Sequence, residues 1–303
     1  MHRTLVASPH IGSYSALLLV AFIAGWWVAR RHAKRAGIPA RHIDNLTLLT
    51  VVTSLFGARL FSWFFYFPPG YDFWRAMTMG GGGMVFYGGL IFGLVTVLLY
   101  SFSARLSVRD VLDVFAAPAA LGLALGRIGC FLAGCCWGDV CIDVGALSGR
   151  NAQLRYQVQT IPVLSRADFP LALTFPREAG AYEQHQQMHL ITSHDGRSLP
   201  VHPVQLYEAV LALALALGLR HSFAKRAWPG KVAAQLVLGY ALIRFATEFL
   251  RADNQPLYWG MTLSQMISLL LAGGWVALLA SLRPFLRKVG LPLMSKACKD
   301  AGG

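Results

Sequence analysis

Runs of apolar residues about twenty long, separated by bursts of arginine and lysine, constrain this chain more than any other feature. A helix rises about 1.5 Å per residue, so about 20 apolar residues match the hydrocarbon core of a bilayer. Seven such runs are present: Ile11 to Ala29, Ile43 to Tyr66, Met84 to Ser103, Val111 to Leu132, Pro203 to Leu219, Val232 to Leu250, and Leu263 to Leu282. Only 14% of the 303 residues are charged, against roughly 25% in a soluble domain. Such a chain cannot cover its own surface with polar groups, so lipid must be part of its solvent. The expected fold is an all-α polytopic membrane protein with about seven transmembrane helices.

The net charge of +13 invites a nucleic-acid reading, but the positions of the charges exclude it. Basic residues fall between apolar runs: Arg30, Arg31, Lys34, Arg35 and Arg41; Arg105 and Arg109; Arg220, Lys225, Arg226 and Lys231; then Arg283, Arg287 and Lys288. This is the positive-inside pattern of cytoplasmic loops beside anionic lipid. The bursts follow runs one, three, five and seven, which sets the N-terminus outside and the C-terminus inside. The first run lacks an A-x-A cleavage site and carries its charges on the wrong side for a signal peptide, so it reads as a retained span. Residues 137–201 hold no span-length run and read as an extracytoplasmic head segment, with short strands around Tyr156 to Val163. It separates helices one to four (1–136) from helices five to seven and the basic tail (202–303).

Charges inside spans are costly, so each marks a functional candidate. In the sixth run Tyr240, Arg244 and Glu248 are four apart and Arg251 follows at three, which puts them on one helical face. The fourth run ends in Gly126-Arg127-Ile128-Gly129-Cys130 and continues to Gly134 and Gly138. Gly122 and Gly126 form a small-xxx-small pair that lets another helix approach, and an arginine there can take a phosphate bidentately. The fifth run opens His202-Pro203-Val204-Gln205-Leu206-Tyr207-Glu208, with proline at a helix start and Gln205 and Glu208 on the first turns. Arg59 lies in the second run, and Tyr87-Gly88-Gly89 opens the third after four consecutive glycines. Three arginines near the outer half point to an anionic ligand, and at that depth the anion is a phospholipid headgroup. The cysteines cluster as Cys130, Cys135, Cys136 and Cys141, with Cys298 in the tail. Their spacing is not a common zinc pattern. It leaves packed thiols, a disulfide and a metal site open, and no metal or cofactor is expected.

Taken in order, G-R-I-G-x-F-x-x-G-x-x-W-G (Gly126 to Gly138), H-P-x-Q-L-Y-E (His202 to Glu208) and R-F-x-x-E-F-x-R (Arg244 to Arg251) resemble the bacterial prolipoprotein diacylglyceryl transferases. So do G-x-R-L (Gly57 to Leu60), the Y-G-G-L beginning at Tyr87 and L-S-Q (Leu263 to Gln265). The resemblance implies an inner-membrane enzyme, acting as a monomer, that moves the diacylglyceryl group of phosphatidylglycerol onto the lipobox cysteine of a prolipoprotein signal peptide. It implies catalytic roles among Arg127, Arg244, Glu248, Tyr87, His202 and Glu208. It implies lipid binding by Arg127, Arg244, Arg251, Tyr14, Tyr240, Arg59 and Gly138. Tyr87 stands where the family has the histidine of H-G-G-L. Cys130 and Cys135 replace the asparagine and glutamate of its G-R-x-G-N-F and N-G-E segments. A tyrosine is a poor base without a neighbouring cation, so proton removal falls to Tyr87, His202 or Glu208. The alternatives are a paralogous lipid-modifying enzyme with another acceptor and a non-catalytic phospholipid binder.

Overall fold

The computed structural model describes residues 4–7, 10–68, 70–77, 83–141, 169–251 and 260–274. A short antiparallel hairpin, β1 (Thr4–Ala7) with β2 (His10–Gly12), leads into α1 (Ser13–Ala36). Then come α2 (Ala40–Tyr66), α3 (Phe73–Met77), α4 (Phe86–Ser103) and α5 (Val108–Ala133). The head holds α6 (Gly180–Gln187), and after it follow α7 (Val204–Ala224), α8 (Lys231–Glu248) and α9 (Leu263–Gly274). The fold is that of an all-α polytopic membrane protein. Among the described residues, five helices (α1, α2, α4, α5 and α7) are long and apolar enough to cross a bilayer. Helix α8 matches the sixth apolar run, and α9 opens the seventh.

Several helices outrun the apolar segments that announced them. Helix α1 carries its basic burst inside its last two turns and stops only at Gly37, which adopts a left-handed φ of +72°. Lysine and arginine are good helix formers whose stems lie along apolar surface while their heads reach water. Hydropathy therefore ends before the helix does. At that end Trp26 Nε1 and Arg30 both reach Asp44 on α2, at 2.8 and 2.9 Å.

By packing, the chain forms two units. One comprises Ser15–Gly126 and Ala212–Leu236; the other comprises Met1–Tyr14, Arg127–Leu211 and Val237–Gly303. The core of the first is built from small residues, Ala29, Ala33, Ala116, Ala117, Ala120 and Ala216, interleaved with Ile43, Leu46, Val111 and Val114. Its large apolar side chains, such as Leu48, Phe64, Leu99 and Phe102, are instead exposed. That inversion belongs to lipid, where small residues let helices approach and bulky ones face the acyl chains. Helices α2 and α4 meet at Gly57 and Gly88. A Cβ on Gly57 would lie 2.6 Å from the Gly88 carbonyl, and Thr53 and Thr96 hydroxyls bond at 2.7 Å nearby. Asp113 is fully buried and accepts the Gly230 and Ala233 amides, both at 2.8 Å, at the start of α8. Arg226 pairs with Asp113 and with Asp110.

In the second unit the described parts of the head, residues 137–141 and 169–201, pack a small core of Phe175, Ala179, Ala181, Leu190, Val201 and Val140. It contains α6 and isolated β-bridges such as Val140 with Val201 and Leu173 with Val201. The strand expected around Tyr156 to Val163 lies outside the described residues. The expectation for Gly122 and Gly126 is corrected: among the described residues nothing lies within 4 Å of a Cβ built on either. Gly129 takes that part, its Cβ position falling 2.9 Å from the Tyr14 ring.

Candidate active site

In the second unit α5, α8 and the segment just past α8 converge on the carboxylate of Glu208. Pro203 precedes the first turn of α7, and Glu208 follows one turn in, 3% exposed. Its Oε2 is ion-paired with Arg127 Nε from α5. Its Oε1 accepts Arg244 Nη1 at 3.0 Å and the Thr247 hydroxyl at 2.9 Å, both from α8. Arg251 Nη1 stands 3.7 Å from the same oxygen. A buried carboxylate is tolerated only when paired and hydrogen-bonded, and here both oxygens are engaged.

Arg244 bridges two carboxylates. Its Nη2 lies 2.9 Å from Glu248 Oε2, one turn on, and 3.3 Å from Ser264 Oγ on α9. Glu248 Oε1 accepts the Thr262 hydroxyl at 2.7 Å. Thr262 and Gln265 close a capping box at the start of α9, each side chain accepting the other's backbone N–H at 3.0 and 3.3 Å. Three arginines against two glutamates leave a net charge of +1, held where large apolar side chains surround the helices. Tyr240 on α8 lies within electrostatic reach of Arg127, as Tyr14 does at the head of α1.

Backbone geometry fixes the rest. Gly138 forms a β-bridge with Arg251, and its N–H donates to the His202 carbonyl at 2.9 Å. A Cβ on Gly138 would fall 2.5 Å from Val204 Cγ2, 2.6 Å from the Leu250 carbonyl and 2.7 Å from His202 Cβ. Only glycine lets these three strands of chain meet. His202 is buried, its ring edge-on to Phe169 at 4.6 Å and its Nδ1 3.5 Å from the Tyr207 hydroxyl. Burial pushes the neighbouring Asp139 carboxyl up to about 6, against its hydrogen bond from the Val140 amide. In the head, burial holds His185 down at about 4; its Nδ1 accepts the Leu199 N–H at 3.2 Å, so the ring is neutral there.

Of the residues the sequence singled out, Arg127, His202, Glu208, Tyr240, Arg244, Glu248, Arg251, Gly138 and Tyr14 belong to this one unit. Arg59 and Tyr87 belong to the other, where Arg59 Nη1 donates to the Gly83 carbonyl at 3.4 Å and Tyr87 stacks edge-on with Phe86. Sequence reasoning missed Thr247 and Thr262, and met Ser264 only as part of the L-S-Q motif, without a role. Thr247 follows Arg244 by three and so shares its face; T-x-x-Q at Thr262 is a readable capping box. Cys130, Cys135, Cys136 and Cys141 are free thiols, not disulfides.

The fold and site define a polytopic membrane protein that gathers three arginines around a buried carboxylate. The sequence profile of the prolipoprotein diacylglyceryl transferases matches residues 4–281. The chain is similar to the phosphatidylglycerol–prolipoprotein diacylglyceryl transferase of Rhodospirillum rubrum, 30% identical over 274 residues, covering 86% of this chain and 84% of that protein. The like-named protein of Nitratidesulfovibrio vulgaris is 30% identical over 269 residues (86% and 85% covered), and that of Methylococcus capsulatus 28% over 278 (88% and 89%). The chain belongs to the prolipoprotein diacylglyceryl transferase family and is a membrane transferase.

Proposed function

We propose that the chain transfers the diacylglyceryl group of phosphatidylglycerol to the lipobox cysteine thiol of a prolipoprotein, the first step of bacterial lipoprotein maturation. The observation that carries this reading is the net +1 arginine cluster around Glu208, matched in sign to a lipid phosphodiester. The acceptor sulfur attacks the glycerol carbon that bears the phosphate, a thioether forms, and glycerol-1-phosphate leaves with the C–O electron pair. Arg127 and Arg244 stabilise the charge that grows on that phosphate. Arg251, Tyr240, Tyr14 and Gly138 shape the headgroup pocket, and Glu248 holds Arg244 in register. Glu208 spends both oxygens on arginines and Thr247, which supports a bracing role over proton removal. His202, buried and clasped through its backbone to Gly138 and Asp139, supports a positioning role. Tyr87 as base and Arg59 as lipid ligand enter from the motif resemblance alone.

The protein then works as a monomer in the bacterial inner membrane, with seven spans, N-terminus outside, C-terminus inside and residues 137–201 as an extracytoplasmic segment between spans four and five. The basic bursts support the orientation. The lengths of α1, α2, α4, α5 and α7, with α8 and the start of α9, support the count.

The test is the full chain in phosphatidylglycerol nanodiscs with a lipobox peptide, read by mass spectrometry for thioether-linked diacylglycerol. Arg127→Ala and Arg244→Ala are each expected to lose about 10²–10³-fold in rate, the usual effect of removing one oxyanion donor. Retained rates in both variants sink the phosphate assignment; an inactive, well-folded wild type sinks the transfer itself. Cys130 and Cys135 in place of the family's asparagine and glutamate favour one second reading, the same transfer to a different thiol acceptor. Modification of a non-lipobox thiol peptide in place of the lipobox peptide would select it.

A further inference from the structure

Cys130, Cys135 and Cys136 bring their Sγ atoms within 4.8 Å of one another at the end of α5. Helical periodicity alone would not gather them. Gly134 turns left-handed at φ +71°, and Cys136 is itself left-handed at φ +61°. A non-glycine residue held there carries strain that the surroundings must sustain, and such residues concentrate at functional sites. The turn is pinned from several sides. The Cys135 N–H donates to the Cys130 carbonyl at 3.1 Å, Gln205 Nε2 donates to the Cys135 carbonyl at 2.8 Å, and Trp137 Nε1 donates to Gln184 Oε1 at 2.9 Å. Next along, Gly138 is locked between His202 and Leu250.

Three thiolates at about 2.3 Å from a tetrahedral zinc stand about 3.8 Å apart. The observed spread reaches that with small rotamer changes. The charges of Arg127 and Arg251 act on Cys136, so an anionic metal–thiolate complex has cations beside it. We propose that Cys130, Cys135 and Cys136 bind a thiophilic cation of the zinc type, whose fourth coordination position takes the acceptor thiol as thiolate. The second half rests on the transfer proposed above; the metal site does not.

Three protein ligands with one open position are the signature of a reactive zinc, and a coordinated thiol is deprotonated outright. The step balances. The acceptor S–H gives its proton to solvent as the sulfur binds the metal. The sulfur lone pair then forms the C–S bond while the C–O bond breaks toward the phosphate. No electron is gained or lost. The arrangement also supplies what Tyr87 does not, a thiolate without a strong neighbouring base.

The experiment titrates the chelator-treated full chain in nanodiscs with Zn2+ alone, then with Co2+ alone as a spectroscopic stand-in. One equivalent of each is expected, with three thiols protected from alkylation in the wild type. Cys130→Ser and Cys136→Ser should each weaken binding by more than the roughly 10–100-fold that loss of an outer-shell partner costs. Addition of a lipobox peptide should shift the Co2+ absorption, and its Cys→Ser counterpart should not. No stoichiometric metal, a disulfide among the three cysteines, or binding unchanged in both variants overturns the site; wild-type thiol protection decides this even where a variant misfolds. Metal binding with a Co2+ spectrum blind to the peptide thiol, in a chain that transfers diacylglycerol, overturns the thiolate role. Metal binding in a chain with no transfer activity leaves the metal site standing and removes the proposed function.

Discussion

Replacing Glu208 by glutamine removes the charge on which Arg127, Arg244 and Arg251 converge. At 3.0 Å the Arg244 pair alone is worth about 5–6 kcal/mol of gross Coulomb attraction at an effective dielectric near 20. Desolvation offsets part of this, and breaking a buried pair costs about 3–5 kcal/mol net. The amide oxygen keeps a bond from Thr247 or Arg244, so Glu208→Gln belongs at the lower end, about 3 kcal/mol. The same change takes the five-group site from +1 to +2, and the bound lipid anion then does what the carboxylate did. Stability and anion affinity should therefore move in opposite directions. The assay is unfolding of wild type and variant in uncharged detergent, repeated with added phosphatidylglycerol and with a zwitterionic lipid. A ligand that binds the folded state stabilises it as RT ln(1 + [L]/Kd). The variant should start lower and gain more from phosphatidylglycerol than wild type does, while the zwitterionic lipid lifts both equally. A loss below about 1 kcal/mol, or equal gains from phosphatidylglycerol, refutes the charge bookkeeping at this site.

Gly138→Ala forces a methyl into contacts of 2.5–2.7 Å that include a backbone carbonyl; a loss of about 1–3 kcal/mol is expected in the same unfolding assay, with lower transfer because Arg251 shifts with its bridge partner. Asp139 has a folded pKa near 6 against an ordinary 3.8, so its stabilising contribution is full below pH 3.8 and is lost as pH rises through about 6. Asp139→Asn should thus stabilise the protein at pH 7 by up to about 3 kcal/mol, a gain that vanishes near pH 3.8; no gain at pH 7 would remove burial as the cause. His185 works in the other direction. Its folded pKa is depressed from 6.5 to about 4, so the unfolded chain binds the extra proton and stability falls as pH drops through that window. Against His185→Gln, the wild type should lose up to about 3 kcal/mol more between pH 6.5 and 4, measured by unfolding at each pH.

Most of the arginine–glutamate cluster was legible in the sequence because intramembrane charge is rare and because Tyr240, Arg244 and Glu248 repeat at the period of a helix. What could not be read was convergence. Nothing in the spacing of Glu208 says that its carboxylate meets α5 and α8 together. The hydroxyl of Thr247 was masked for another reason: threonines in apolar runs commonly bond back to their own helix, as Thr53 does to Leu49 and Thr247 itself does to Ile243. The span ends failed where arginine and lysine extend helices past their apolar part. The cysteine trio failed because it depends on two left-handed residues, Gly134 and Cys136, rather than on a period. Gly122 and Gly126 fit a packing motif that Gly129 fulfils instead, since residue type permits a close approach without specifying the partner.

The Asp113 cap on α8 bears on biogenesis. Asp113 emerges from the ribosome more than a hundred residues before the Gly230 and Ala233 amides that satisfy it. Until then a carboxylate destined for complete burial has no such partner, and α8, with its own charges, is a weak candidate to enter the bilayer unaided. Closure of the α7–α8 turn and satisfaction of the Asp113 carboxylate on α5 are therefore one event. A chain arrested before residue 226 lacks both the Arg226 charge and the two backbone amides that hold Asp113 in the finished molecule.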